Sequence, residues 1–154
     1  MVCGSEINGA HMTLDKVMYT TEVTVTGGRE GSAASADGRL NLKLDKPKEL
    51  GGAGGEGTNP EQLFAAGYAA CFLSALQLVS GKKKIALSHE AAIRAEVSLG
   101  QSGQALALAV TLNVRLPGMD KAVADELVGL AHQTCPYSNA TRNNIVVTLA
   151  VSVD

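Results

Sequence analysis

The sequence predicts an α+β fold in a single domain, with largely antiparallel sheets and elements in the order βββ-α-ββ-α-β. Period-two runs of apolar residues arrive in pairs separated by turn signals, so strands form hairpins rather than alternate singly with helices. Two segments instead carry helical spacing and capping residues, which gives two long helices. A chain of 154 residues, 45% apolar and 18% charged, suits one hydrophobic core.

Residues 1–13 have no periodicity and are read as a flexible tail, Cys3 and His11 included; residues 14–154 form the domain. Val17 to Thr26, rich in Thr, Val and Tyr, predicts the first strand, turned by Gly27-Gly28. Arg29 to Ala36 runs to Asp37-Gly38, a hairpin signal. Leu40, Leu42 and Leu44 then alternate with polar residues as a half-buried strand. After a glycine-rich loop at Gly51 to Gly57, Asn59 caps a helix with Pro60 at its first position. That helix runs to about Ser80, and Gly81 is its expected stop. Ile93 to Leu99 and Leu106 to Val114 alternate as two strands around a turn at Gly100–Gly103. Asp120 to Gln133 places Val123, Leu127, Leu130 and Ala131 on one helical face. Cys135-Pro136 ends it, because a residue before proline disfavours the helical region. Ile145, Val147, Leu149 and Val151 mark the last strand.

The first helix is apolar nearly all round, with Phe64, Phe72, Leu73, Leu76 and Leu78 on several faces. One sheet covers one side of a helix, so a partner subunit is expected over the other, giving a homodimer. Gln62 to Gly81 lacks charge, but Gly67, Ser74 and Gln77 dilute it, and it is read as a buried helix rather than a membrane span. The N-terminus has no basic region followed by an apolar run, so a cytoplasmic protein is expected. A net charge of −2 with three Tyr, two Phe and no Trp gives neither a basic footprint nor stacking platforms for nucleic acid.

Gly52 to Gly57 matches GxGxxG before a helix, yet no Asp or Glu lies between Glu61 and Glu90 to bind a ribose, and no phosphate-loop lysine follows. The loop is read as a tight turn beside a site or interface. The three histidines and scattered carboxylates show no metal-ligand spacing, so no metal or cofactor is expected. Cys71 lies mid-helix in an apolar run and Cys135 at the end of the second helix. Such cysteines serve as small hydrophobes or as reactive thiols, and a thiolate at neutral pH needs a cationic neighbour such as Arg29. A Cys-His hydrolase using His132 or His89 is a further reading, though a histidine near a helix C-terminus is also favoured by the dipole alone.

Two long stretches, GGAGGEGTNPEQLFAAGYAACF (Gly51 to Phe72) and AHQTCPYSNATRNNI (Ala131 to Ile145), closely resemble the organic hydroperoxide resistance (Ohr) proteins of the Ohr/OsmC family. TGGREG (Thr26 to Gly31), PKEL, GKKK and LPGMD support the match, which covers residue 17 onward. The resemblance implies an OsmC-like, intertwined homodimer and a thiol-dependent peroxidase that reduces organic hydroperoxides to alcohols. Cys71 then matches the peroxidatic cysteine, Cys135 the resolving one, Arg29 the arginine that holds the thiolate, and Glu61 the acid that orients it. It also implies recycling by a lipoyl-bearing or other dithiol. Alternatives on the same fold are an OsmC-type general peroxidase and a non-catalytic redox or ligand-binding module. Asn143 departs from the family, which often has Gly there. Glu61 and Cys71 are ten residues apart, about 15 Å along a straight helix, so they do not touch. Either the Arg29 and Glu61 side chains bridge most of that distance, or Glu61 serves the other subunit's site.

Overall fold

In the computed structural model, which describes residues 11–154, six strands form two three-stranded sheets. The first holds β1 (Val23–Thr26), β2 (Ser32–Ser35) and β3 (Asn41–Lys43), antiparallel and in chain order. The second holds β4 (Ala92–Ser102), β5 (Ala105–Arg115) and β6 (Val147–Ser152). Three helices complete the fold: α1 (Pro60–Lys82), α2 (Lys121–Thr134) and α3 (Pro136–Thr141). The α+β class and the hairpins are as the sequence predicts. One strand pair is not antiparallel: β6 runs parallel to β5, because α2 and α3 supply the long crossover that parallel strands require.

The core lies between the second sheet and the helices. On β5, Val110, Leu112 and Val114 are buried and continue into Leu116. They meet Tyr68, Phe72, Leu76 and Val79 of α1 and Ala124, Leu127, Val128 and Ala131 of α2. On β4, half-buried Ile93, Ala95 and Val97 alternate with exposed Arg94, Glu96 and Ser98, the pattern of a sheet with one wet face. α1 is long and apolar enough to span a membrane by composition, but here it is the central helix, packed on β4, α2 and α3.

Several boundaries differ from expectation, each for a physical reason. β1 begins at Val23, not Val17, and Val17, Met18 and Tyr19 are exposed. Strand propensity alone does not make a strand of residues that have no partner among the described residues of one chain. Gly81 does not stop α1; the helix ends after Lys82, Lys83 caps it, and Lys84 takes the left-handed conformation at φ 58°. β4 runs through Gly100, and the β4–β5 turn is the two-residue Gly103-Gln104, with Ser102 paired to Ala105. α3 was not expected at all. Pro136 both ends α2 and opens α3 as its first residue, where its missing N–H has no partner to lose. Asn143 sits at φ 62°, where glycine is at ease and asparagine is tolerated better than most residues. Of the proposed tail, residues 1–10, with Cys3, lie outside the described residues.

Candidate active site

α1 is anchored at its start by Asn59, whose side-chain oxygen accepts the Gln62 amide at 2.9 Å, and Glu61 stands in the first turn. Arg29 reaches it from a 3₁₀ turn at Gly28–Glu30. Gly27 and Gly28, at φ 74° and 58°, allow the chain to leave β1 sharply. Gly31 closes the turn so tightly that a Cβ there would lie 1.7 Å from the Thr26 carbonyl oxygen. Arg29 therefore faces Glu61 with its fork: Nη1 donates to Oε2 and Nη2 to Oε1, both at 2.7 Å. The Arg29 hydrogen bonds hold the Glu61 carboxyl below its ordinary range, and Glu61 in turn raises Arg29.

The guanidinium sits on the wall of a mainly apolar cavity of about 680 Å³, between the first sheet and the N-terminal half of α1. Val23, Val25 and Leu44 line it from the side of the first sheet, Leu63 and Gly67 from α1, and Tyr137 from α3. Gly67 is one helical turn before Cys71 and on the same face.

Both cysteines among the described residues are free thiols. Cys71 is half-buried on α1, and Cys135, fully buried, caps the start of α3. Although 64 residues separate them, the Cys135 thiol donates to the Cys71 sulfur at 3.6 Å. Burial pushes the Cys71 thiol up, the Tyr137 amide N–H pulls it down, and the Cys135 thiol adds a smaller upward push. Within one chain Arg29 is not among the groups that shift it; the guanidinium is engaged with Glu61 in the first turn of α1. The four predicted residues thus form two pairs along α1, Arg29 with Glu61 and Cys71 with Cys135.

Behind Cys135 lies a polar network that sequence reasoning did not find. The Tyr68 hydroxyl shares hydrogen bonds with Ser138 Oγ at 2.9 Å and Thr141 Oγ1 at 3.2 Å. Ser138 Oγ also shares one with His132 Nδ1 at 2.9 Å. His132 is thus paired with a serine rather than a cysteine, and burial together with the Arg142 charge lowers its pKa. His89 lines a separate cavity of about 450 Å³ beside Ile85 and Leu87. The geometry pairs neither histidine with a thiol, so the Cys-His hydrolase reading has no support. The glycine-rich loop likewise has a packing explanation. It wraps the Asp45 carboxylate, which accepts the Gly57 amide at 2.6 Å, and a Cβ at Gly55 or Gly57 would sit 2.6 or 2.7 Å from that carboxylate's oxygen.

Residues 52–150 match the OsmC-like protein family. The chain is 55% identical over 138 residues to an organic hydroperoxide resistance protein of Xanthomonas axonopodis pv. citri, covering 90% of this chain and 97% of that one. It is 42% identical to the organic hydroperoxide resistance protein OhrA of Bacillus subtilis, covering 90% and 99% of the two chains. A crystal structure of an organic hydroperoxide resistance protein from Legionella pneumophila superposes with a TM-score of 0.84 at 47% identity, covering 90% of this chain and all of that one. With this fold and these relatives, the chain belongs to the OsmC-like family, within its organic hydroperoxide resistance group.

Proposed function

We propose that the protein is a cysteine-based peroxidase that reduces organic hydroperoxides to alcohols, with Cys71 as peroxidatic and Cys135 as resolving cysteine. The observation that carries this reading is the approach of the two sulfurs to 3.6 Å across 64 residues of chain. The neighbouring cavity is lined mainly by apolar side chains, so it suits a fatty or aryl hydroperoxide better than hydrogen peroxide.

The Cys71 thiolate attacks the distal peroxide oxygen. The O–O bond breaks, the proximal oxygen leaves with a proton as alcohol, and Cys71, oxidised by two electrons, becomes a sulfenic acid. Cys135 then attacks that sulfur; an S–S bond forms and the S–O bond breaks, releasing water. A dithiol, of the lipoyl type, returns both thiols by exchange and leaves as its own disulfide. Arg29, oriented by Glu61, supplies positive charge for the thiolate and for the charge developing on the leaving oxygen.

The reading includes a homodimer acting in the cytoplasm. Support comes from apolar surface that one chain leaves uncovered: Met18 is 92% exposed, Leu14 81% and Leu78 50%. Light scattering is expected to give twice the chain mass of 15.8 kDa. The activity is tested by turnover of cumene hydroperoxide with dihydrolipoamide. Cys71→Ser is expected to abolish turnover, and Cys135→Ser to consume about one equivalent per site and stall. Turnover by Cys71→Ser comparable to wild type would overthrow the assignment.

A further inference from the structure

α3 has six residues, too few to hold a helix by local hydrogen bonds alone. It nevertheless presents two groups to Cys71: the Cys135 thiol from its N-cap and the amide of Tyr137 from its first turn. Their placement must come from whatever fixes α3 to the rest of the fold. Ser138 is fully buried, three residues after Cys135, and its hydroxyl joins three elements: Tyr68 of α1, His132 of α2 and α3 itself. Thr141, at the other end of α3, bonds the same Tyr68 hydroxyl and also donates to the Tyr137 carbonyl at 2.9 Å. No buried side-chain polar atom among the described residues lacks a partner, so the network is fully satisfied and geometrically determined.

We propose that the Tyr68–Ser138–His132 network is the positioning device that holds Cys135 against Cys71, and so sets how readily the pair closes to a disulfide. The inference rests on the reading of Cys71 and Cys135 as peroxidatic and resolving cysteines. Closing the bond takes the sulfurs from 3.6 Å to about 2.0 Å, a displacement that needs no unfolding of α3. In that step Cys135 sulfur attacks the sulfenic sulfur of Cys71, and hydroxide departs with the thiol proton as water. A second hydroperoxide competes for the same sulfenic acid and carries it to sulfinic acid, with a second alcohol released. The tighter α3 is held, the more closure wins. Tyr68, Ser138 and His132 hydrogen-bond to one another and not to either sulfur; they act through α3.

Ser138→Ala removes the hub and Tyr68→Phe removes one oxygen from it. Two measurements on the full-length protein separate the claims. The first needs no peroxide: the equilibrium of the Cys71–Cys135 pair against a dithiothreitol redox buffer. The disulfide-forming constant is expected to fall about tenfold in Ser138→Ala and less in Tyr68→Phe. The second is mass spectrometry of Cys71 across a cumene hydroperoxide series. The concentration that converts half of Cys71 to sulfinic acid is expected to fall about tenfold in Ser138→Ala. If Ser138→Ala does not fold, Tyr68→Phe carries both measurements. Folded variants with the wild-type exchange constant and oxidation curve overturn the proposal, even if their melting temperatures drop. A wild-type protein inert to hydroperoxide, with an exchange constant still lowered by the variants, overturns the peroxidase reading and leaves the positioning role standing.

Discussion

The Arg29–Glu61 fork ties the turn after β1 to the start of α1, and Glu61→Gln tests what it contributes. Two charge-assisted bonds at 2.7 Å are lost or weakened: a glutamine amide oxygen still accepts from one Nη, but its NH₂ faces the other as donor against donor. Bonds to charged groups contribute about 1.5–3 kcal/mol each when well shielded. The Arg29 side chain is 33% exposed and that of Glu61 17%, so solvent screens the pair and a total of about 1–2 kcal/mol at pH 7 is expected. The pH dependence follows from the direction of the Glu61 shift. Its folded pKa lies below the ordinary 4.5, so the pair's stabilisation is fully present above that value. It is lost as pH falls through the depressed folded pKa. Urea unfolding of wild type and Glu61→Gln at one fixed protein concentration, from pH 7 down to pH 3, measures it. The two stabilities should differ near neutrality and converge in acid. A difference that stays constant over the whole range would refute the claim that the ionised carboxylate is what the fork stabilises.

Arg29→Ala is expected to raise the Cys71 thiol pKa in the assembled protein, through loss of a positive charge, and to slow peroxide reduction about tenfold or more at neutral pH. Arg29→Lys should recover only part, because an ammonium lacks the planar fork that meets Glu61. Alkylation rate against pH reads this directly, and superimposable profiles for all three proteins would remove Arg29 as the activating charge. Gly31→Ala should displace the Arg29 turn and depress turnover strongly, since its Cβ meets backbone at 1.7 Å, whereas Gly100→Ala, with nothing within 4 Å, should be neutral; equal activity of the two would contradict the turn geometry. Asn59→Ala should destabilise α1 by about 1 kcal/mol through loss of its cap, read as a melting shift of about 2–4 °C; an unchanged melting temperature would show that the cap contributes nothing.

The elements that follow hydrophobic period were legible in the sequence: β4, β5, β6 and α2 each bury one face or stripe, and period reports burial, while α1, apolar on several faces, showed in its Asn59 cap, Pro60 and long uncharged run. What the sequence did not give away depends on tertiary partners. The stretch from Val17 to Glu22 has strand composition but no strand beside it among the described residues of one chain. α3 is too short for a periodic signal and is hidden behind a proline that reads as a terminator. The site divides in the same way. Cys71, Cys135, Arg29 and Glu61 were identified from their surrounding motifs, and the structure pairs them two by two. Ser138, Tyr68 and His132 were missed as a group, because a hydrogen bond between residues 68 and 138 leaves no trace in local pattern. The one available signal was two hydroxyl residues, Ser138 and Thr141, three apart just after a cysteine and on one helical face.

Gly67 shows how closely the two halves of the site depend on each other. A glycine inside a helix is less favourable than alanine by about 1 kcal/mol, so its presence in the middle of α1 calls for a reason. A Cβ at Gly67 would lie 2.9 Å from the Tyr137 hydroxyl and 3.2–3.3 Å from its ring, so the missing side chain is what admits the ring against α1. There the ring stands 6.2 Å from Phe64 and 5.8 Å from Tyr68, completing an aromatic cluster over the helix. The same tyrosine lines the apolar cavity and acts on Cys71 with its amide. One small residue on α1 therefore bears on both the lining of the cavity and the backbone that faces the thiol. The cavity that holds Arg29 and the pair of sulfurs cannot be reshaped independently, since Tyr137 belongs to both.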